Sequence, residues 1–195
     1  VAYKVPTIIS TLGATISKAY SVSVLQYFDP SDQDGFLGQS YATISFSMVL
    51  CASALMLLNI PLSKLLFSNE FYAAWRMVPP LLLSALFNYM SLSCENMCLA
   101  LNHTKLISAT ALTGASINAV LNLCLIPLWG GYGAAVTTAI GFFSVWLMRY
   151  IWILQHIQLK NLRIKEPLSY GLIWLQMFVA YFANRLLLLQ IVIFV

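Results

Sequence analysis

Apolar residues run through this chain in long blocks, and the blocks predict membrane-length helices. Leu106 to Met148 contains no Asp, Glu, Lys or Arg. A helix needs roughly 20 apolar residues to cross a bilayer, so this block is long enough to cross twice. Pro127, Trp129, Gly130, Gly131 and Gly133 lie near its middle. Pro and Gly punctuate helices and Trp favours the membrane–water boundary. The block therefore predicts a hairpin, with spans over 106–129 and 133–153 joined by a glycine turn.

The other blocks predict spans over 5–27, 39–61, 77–101 and 168–195. The last is interrupted by Asn184-Arg185 and reads either as one tilted span or as a helix plus a truncated helix. Pro79-Pro80 falls at the start of its span, where proline is tolerated. The fold class is all-α, a polytopic transmembrane helical bundle in a single membrane domain over 1–195.

Polar residues recur at helical spacing within these blocks. In the first span Lys4, Thr7, Thr11, Lys18 and Ser21 share a face, opposite Ile8, Leu12, Ile16 and Val24. In the third, Ser84, Asn88, Ser91, Glu95 and Asn102 form a second stripe. In the hairpin, Thr110, Gly114, Asn118 and Asn122 step by four residues, as do Gly133, Thr137 and Gly141. Small residues at that spacing let membrane helices pack closely.

Composition agrees with the pattern. Hydrophobic residues make up 61% and charged residues 8%, against about 25% charged in soluble domains. The four cysteines, Cys51, Cys94, Cys98 and Cys124, lie in apolar runs and read as small hydrophobes rather than zinc ligands. The segment DPSDQDGFLG at Asp29–Gly38 imitates a calcium loop. With Gly35 at its sixth position, however, Pro30 and Tyr41 would stand where oxygen ligands are required. It reads as a solvated turn. The chain starts without Met or a cleavable leader and reads as a piece of a longer protein.

Charge sets the orientation. The segment Arg149, His156, Lys160, Arg163 and Lys165 is the most basic, so its side is expected to be cytoplasmic, and Lys105 agrees. Lys64 and Arg76 oppose it, and Trp75 and Trp129 fall together at the outer boundary.

Several motifs carry a family resemblance. They are Asn118, Asn122, Ile126-Pro127, Gly130 and Gly133-Ala134-Ala135, with AYKVPTIIS at Ala2–Ser10, LLFSNEFYAAWRMVPPLLL at Leu65–Leu83 and HTK at His103–Lys105. Together they resemble the C-terminal half of polysaccharide transporters. These are the flippases of lipid-linked O-antigen and capsule units in the multidrug/oligosaccharidyl-lipid/polysaccharide exporter (MOP) superfamily. The resemblance implies one lobe of a two-lobe, MATE-like transporter working by alternating access in the bacterial inner membrane. It implies an undecaprenyl-diphosphate-linked oligosaccharide as substrate. The implied partners are the N-terminal lobe, membrane lipids and a polysaccharide polymerase and ligase. A multidrug exporter of the same superfamily, and a membrane-embedded glycan polymerase or ligase, are the alternatives.

No serine–histidine–acid grouping, metal-spaced histidine pair or phosphate-cradling loop stands out, so neither an enzyme, a metal, a cofactor nor nucleic acid is expected. The candidate substrate-binding residues are the polar groups expected at membrane depth: Thr11, Lys18, Asn88, Glu95, Asn118 and Asn122. A charged side chain at a helix centre carries an insertion penalty of about 2.5–3.5 kcal/mol, so it faces a cavity or a partner. Lys18 reads as a cation facing a wet lumen, as a snorkelling residue, or as the partner of Glu95. Glu95 reads as an ion-coupling site, as that partner, or as a residue at the cytoplasmic end of its span. The two asparagines either bond sugar hydroxyls or bond across helices. His103 and His156 read as solvated loop residues.

Overall fold

A computed structural model describes residues 6–66, 75–159 and 166–182. Lys4, Glu70, Lys160, Arg163, Lys165 and Asn184-Arg185 lie outside these residues, as do the side chains of Ile8, Leu12, Lys64 and Glu166. The described elements are helices: α1 (Pro6–Gln26), α2 (Phe36–Leu57), α3 (Asn59–Leu66), α4 (Val78–Ala100), α5 (Thr104–His156) and α6 (Glu166–Phe182). This is an all-α membrane protein, and three of the described helices are long and apolar enough to cross a bilayer.

The helix ends follow from sequence. Proline donates no N–H and its ring crowds the carbonyl four residues back. Pro61 therefore ends α2 at Leu57, and the short α3 begins afresh at Asn59. The predicted second span, drawn through Pro61, is thus two helices. Asn59 Nδ2 donates to the Trp75 carbonyl (3.0 Å), tying the start of α3 to the start of α4. Asn102 adopts φ 58° and closes α4. His103 N–H donates back to the Cys98 carbonyl and Asn102 N–H to that of Leu99, both at 2.9 Å. That pair of bonds caps the helix while turning the chain.

α5 is a hairpin. Gly130 has φ 56° and ψ −135°, a conformation reserved for glycine, and it divides two arms, 104–129 and 131–156. The arms pack antiparallel through the small residues the sequence placed in register. A Cβ on Gly114 would meet Val145 Cγ2 at 2.2 Å, and one on Gly133 would meet the Leu125 carbonyl oxygen at 2.4 Å. Backbone thus approaches backbone where side chains are absent.

α4 runs through the middle of the bundle and packs on both arms of α5 and on α1, α2 and α6. Around Phe87 an aromatic core joins Phe143, Trp146, Tyr170 and Trp174. Polar clips lock the outer helices: Ser45 Oγ with Tyr170 OH (2.5 Å), Ser53 Oγ to Gln176 Oε1 (2.6 Å) and Trp146 Nε1 to Tyr41 OH (2.9 Å). Cys94 and Cys98 are buried in the same core, and among the described residues no disulfide forms.

Two expectations change. α1 packs with Ile9, Gly13, Tyr20 and Val24, whereas Ile16 is exposed. Gly13 sets the packed face, because the Tyr89 ring occupies the space beside it. The Asp29–Gly38 turn is not wholly solvated. Asp32 is 2% exposed, and its carboxylate accepts the N–H groups of Leu37 (2.8 Å) and Gly38 (3.0 Å) at the start of α2. Four helix N-terminal N–H groups lack partners within the helix, so this turn is a capping device folded into the bundle.

Candidate functional site

A cavity of about 360 Å³ opens between α4 and both arms of α5. Its polar lining is Asn88, Ser91 and Glu95 from α4, Asn118 from the first arm and Arg149 from the second. Asn88 is next to the middle of α4, and Asn118 lies close to the middle of its arm. The cavity therefore falls near half-height of the spanning helices, with Glu95 and Arg149 toward the end that carries His103 and His156.

The stripe on α4 arises because residues 88, 91 and 95 are three and four apart and share one helix face. The four-residue ladder on the first arm presents Asn118 to the same space. The second arm continues its own ladder, Gly133, Thr137 and Gly141, through Val145 to Arg149. Hairpin symmetry about Gly130 then sets Arg149 opposite Thr110.

Arg149 is the centre of the polar network. Its side chain is 4% exposed, against 28% for Glu95, and NH1 lies 2.8 Å from Glu95 Oε2. NH1 also donates to Ser91 Oγ (2.8 Å) and the Ser91 carbonyl (3.2 Å). Nε donates to Thr110 Oγ1 (3.0 Å) and NH2 to the Ile107 carbonyl (3.2 Å). One guanidinium thus joins α4 and both arms, and its charge is matched where it is buried.

The sequence-based candidates separate into three groups. Asn88, Glu95 and Asn118 come together in the cavity. Asn122 does not line it. Its Nδ2 donates to Asn118 Oδ1 and its Oδ1 accepts from Thr137 Oγ1, both at 2.5 Å, so it bonds across the hairpin. Thr11 and Lys18 do not line it either. Both are exposed on α1, on the side facing away from Gly13 and α4. Lys18 is not the partner of Glu95; that role belongs to Arg149.

In the sequence Arg149 opens the most basic segment, at the end of the charge-free run. It lies inside α5. The signal was the four-residue step from Gly141 through Val145 to Arg149, which continues the ladder of the second arm. His103 and His156 are exposed, but His156 sits in the last turn of α5 rather than in a loop, and the two flank Trp152. The His156 ring stacks on it at 4.0 Å between centroids and the His103 ring lies at 4.8 Å. Among the described residues no group of histidine, cysteine or carboxylate side chains is arranged to hold a metal.

The fold and cavity define the class: an integral membrane helical protein with a polar pocket between its helices. No protein-family model matches the chain, and no solved structure does. Over 91 residues, 47% of its length, the chain is 30% identical to an uncharacterised membrane protein of Methanocaldococcus jannaschii. The match covers 18% of that protein, so the chain spans under a fifth of the relative's length. That relative and the apolar helices support a membrane location.

Proposed function

We propose that this chain is one lobe of an alternating-access transporter that moves a lipid-linked oligosaccharide across the bacterial inner membrane. The observation that carries the reading is the convergence of Asn88, Glu95, Asn118 and Arg149 on one cavity near helix mid-height. Polar groups at that depth are expensive and mark substrate pathways, and transporters of two repeats hold their sites near the midplane between them. The substrate is an undecaprenyl-diphosphate-linked glycan unit, by the resemblance in the sequence. The remaining wall of the site belongs to the N-terminal lobe. The end bearing His103 and His156 is cytoplasmic.

The test is glycan assembly in cells that depend on the full-length protein. Asn88→Leu should reduce surface polysaccharide and strand lipid-linked units on the cytoplasmic leaflet. Normal surface glycan with a well-expressed variant would sink the reading, and units accumulating on the outer leaflet would point to a polymerase or ligase.

A second reading, export of amphiphilic cations, has one observation in its favour. Oε1 of Glu95 makes no hydrogen bond among the described residues. Arg149 beside it weakens the acidic field such a substrate needs. Drug-resistance assays separate the two.

A further inference from the structure

The transport reading leaves open which part of the substrate this cavity takes, and the chemistry of the lining narrows it. A diphosphate calls for uncompensated cations or a fan of free backbone N–H groups. The cavity offers neither. Its cation, Arg149, is paired with Glu95 at 2.8 Å and spends its other donors on Ser91, Thr110 and Ile107. Lys18 and Lys105 do not line it. The lining positions on α4 and on the two arms are helix interior, where N–H groups bond within the helix.

What remains open is neutral or acceptor in character. The Asn88 amide, Nδ2 of Asn118 and Oε1 of Glu95 make no hydrogen bond among the described residues. Phe142 and the small side chains of Ala111 and Ala115 supply apolar wall beside them. Amide donors and acceptors with one carboxylate oxygen match the alternating hydroxyls of a pyranose, and an aromatic wall matches its C–H face. A volume of about 360 Å³ is near the lower end of ligand pockets, which suits a single ring better than a branched unit.

We infer that this cavity is a subsite for one uncharged sugar ring of the lipid-linked substrate, and that the diphosphate is held elsewhere. The inference rests on the transport reading, and the probes are chosen so that the two fail differently. The full-length protein is purified in a detergent without a sugar head group. Saturation-transfer NMR is then recorded with a panel of methyl glycosides of neutral hexoses and N-acetylhexosamines, with farnesyl diphosphate, and with tetraphenylphosphonium.

The expected result is transfer to the ring protons of at least one glycoside. Its affinity should fall about tenfold in Asn88→Leu, a change that breaks no internal hydrogen bond. It should hold steady from about 50 to about 500 mM salt, because screening acts on charge and not on hydroxyls. Phe142→Leu, checked for an unchanged melting temperature, should weaken the same glycoside. Farnesyl diphosphate lost on Asn88→Leu, with no glycoside bound, overturns the sugar subsite and leaves the lipid-linked substrate standing. Tetraphenylphosphonium alone displaced by these changes overturns both readings. Absence of transfer to every glycoside overturns the inference.

Discussion

At the scale of single residues, Arg149 decides the character of the bundle interior. It is buried with an ion pair on one side and hydroxyl and carbonyl oxygens on the others. Removing one partner of such a pair leaves an uncompensated charge or unpaired acceptors and destabilises by about 3–5 kcal/mol. Arg149→Met should therefore lower the melting temperature of the purified full-length protein sharply. Arg149→Met with Glu95→Gln should recover part of the loss, since no lone carboxylate is left behind. Equal melting of the single and double variants would contradict the pairing. The hydropathy pattern hid this residue, because a charge at the end of an apolar run looks the same whether it is solvated or satisfied inside. The partners that settle it, Ser91 and Thr110, are ordinary hydroxyl residues far away in sequence. Lys18 shows the converse. Its helix was legible, but a polar stripe says only that a helix has two sides, not which one its neighbour takes.

At the scale of elements, the α5 hairpin was legible almost in full. Its turn glycine, its arms and the small-residue ladders all follow from spacing, since a four-residue step keeps residues on one helix face. The close approach at Gly114 gives a direct check. An added Cβ would overlap Val145 Cγ2 and press toward the Gly141 carbonyl oxygen, 3.2 Å away. Gly114→Ala should lower stability by about 1–3 kcal/mol, as overpacking does. Val145→Ala in the same chain should restore some of it, read by thermal unfolding of the full-length protein. Gly130 behaves differently. A side chain there has open space, with nothing within 4 Å, but the backbone sits at φ 56° and ψ −135°. Gly130→Ala should cost about 1–3 kcal/mol through backbone strain, and no second substitution opposite it should rescue the loss. The α2–α3 break was less legible. It depends on Pro61 acting four residues upstream, inside a run whose hydropathy gives no sign of interruption.

At the scale of the molecule, the contacts sort the helix ends into two groups. Pro30 accepts the Gln158 N–H at 3.1 Å, and His103 meets Trp152, so the α1–α2 turn, the α4–α5 turn and the end of α5 lie together. The space beside Gly131 is filled by Met77, so the hairpin turn and the start of α4 share the opposite end. This grouping matches the alternation expected from the spans. With the native cysteines replaced, single cysteines at Gln33, Thr104 and Gln155 should react with a membrane-impermeant maleimide from one side of the membrane. Those at Arg76 and Leu128 should react from the other. Labelling of Gln33 and Gln155 from opposite faces would break the arrangement. The bundle also keeps large apolar side chains outside, among them Leu112, Leu123 and Leu128 on the first arm and Phe46 on α2. In lipid such exposure is the rule and in water it would not be.

The guanidinium buried between α4 and the hairpin also imposes an order on biosynthesis. α4 leaves the ribosome before α5, so Ser91 and Glu95 are already in place when the last turns of the second arm arrive. Every partner of Arg149, from Ser91 and Glu95 to Ile107 and Thr110, precedes it in the chain, so the cation is the last member of its cluster to be made. A circularly rearranged gene that delivered α4 after the hairpin should therefore give less folded protein in the membrane, and Arg149→Met should narrow the difference.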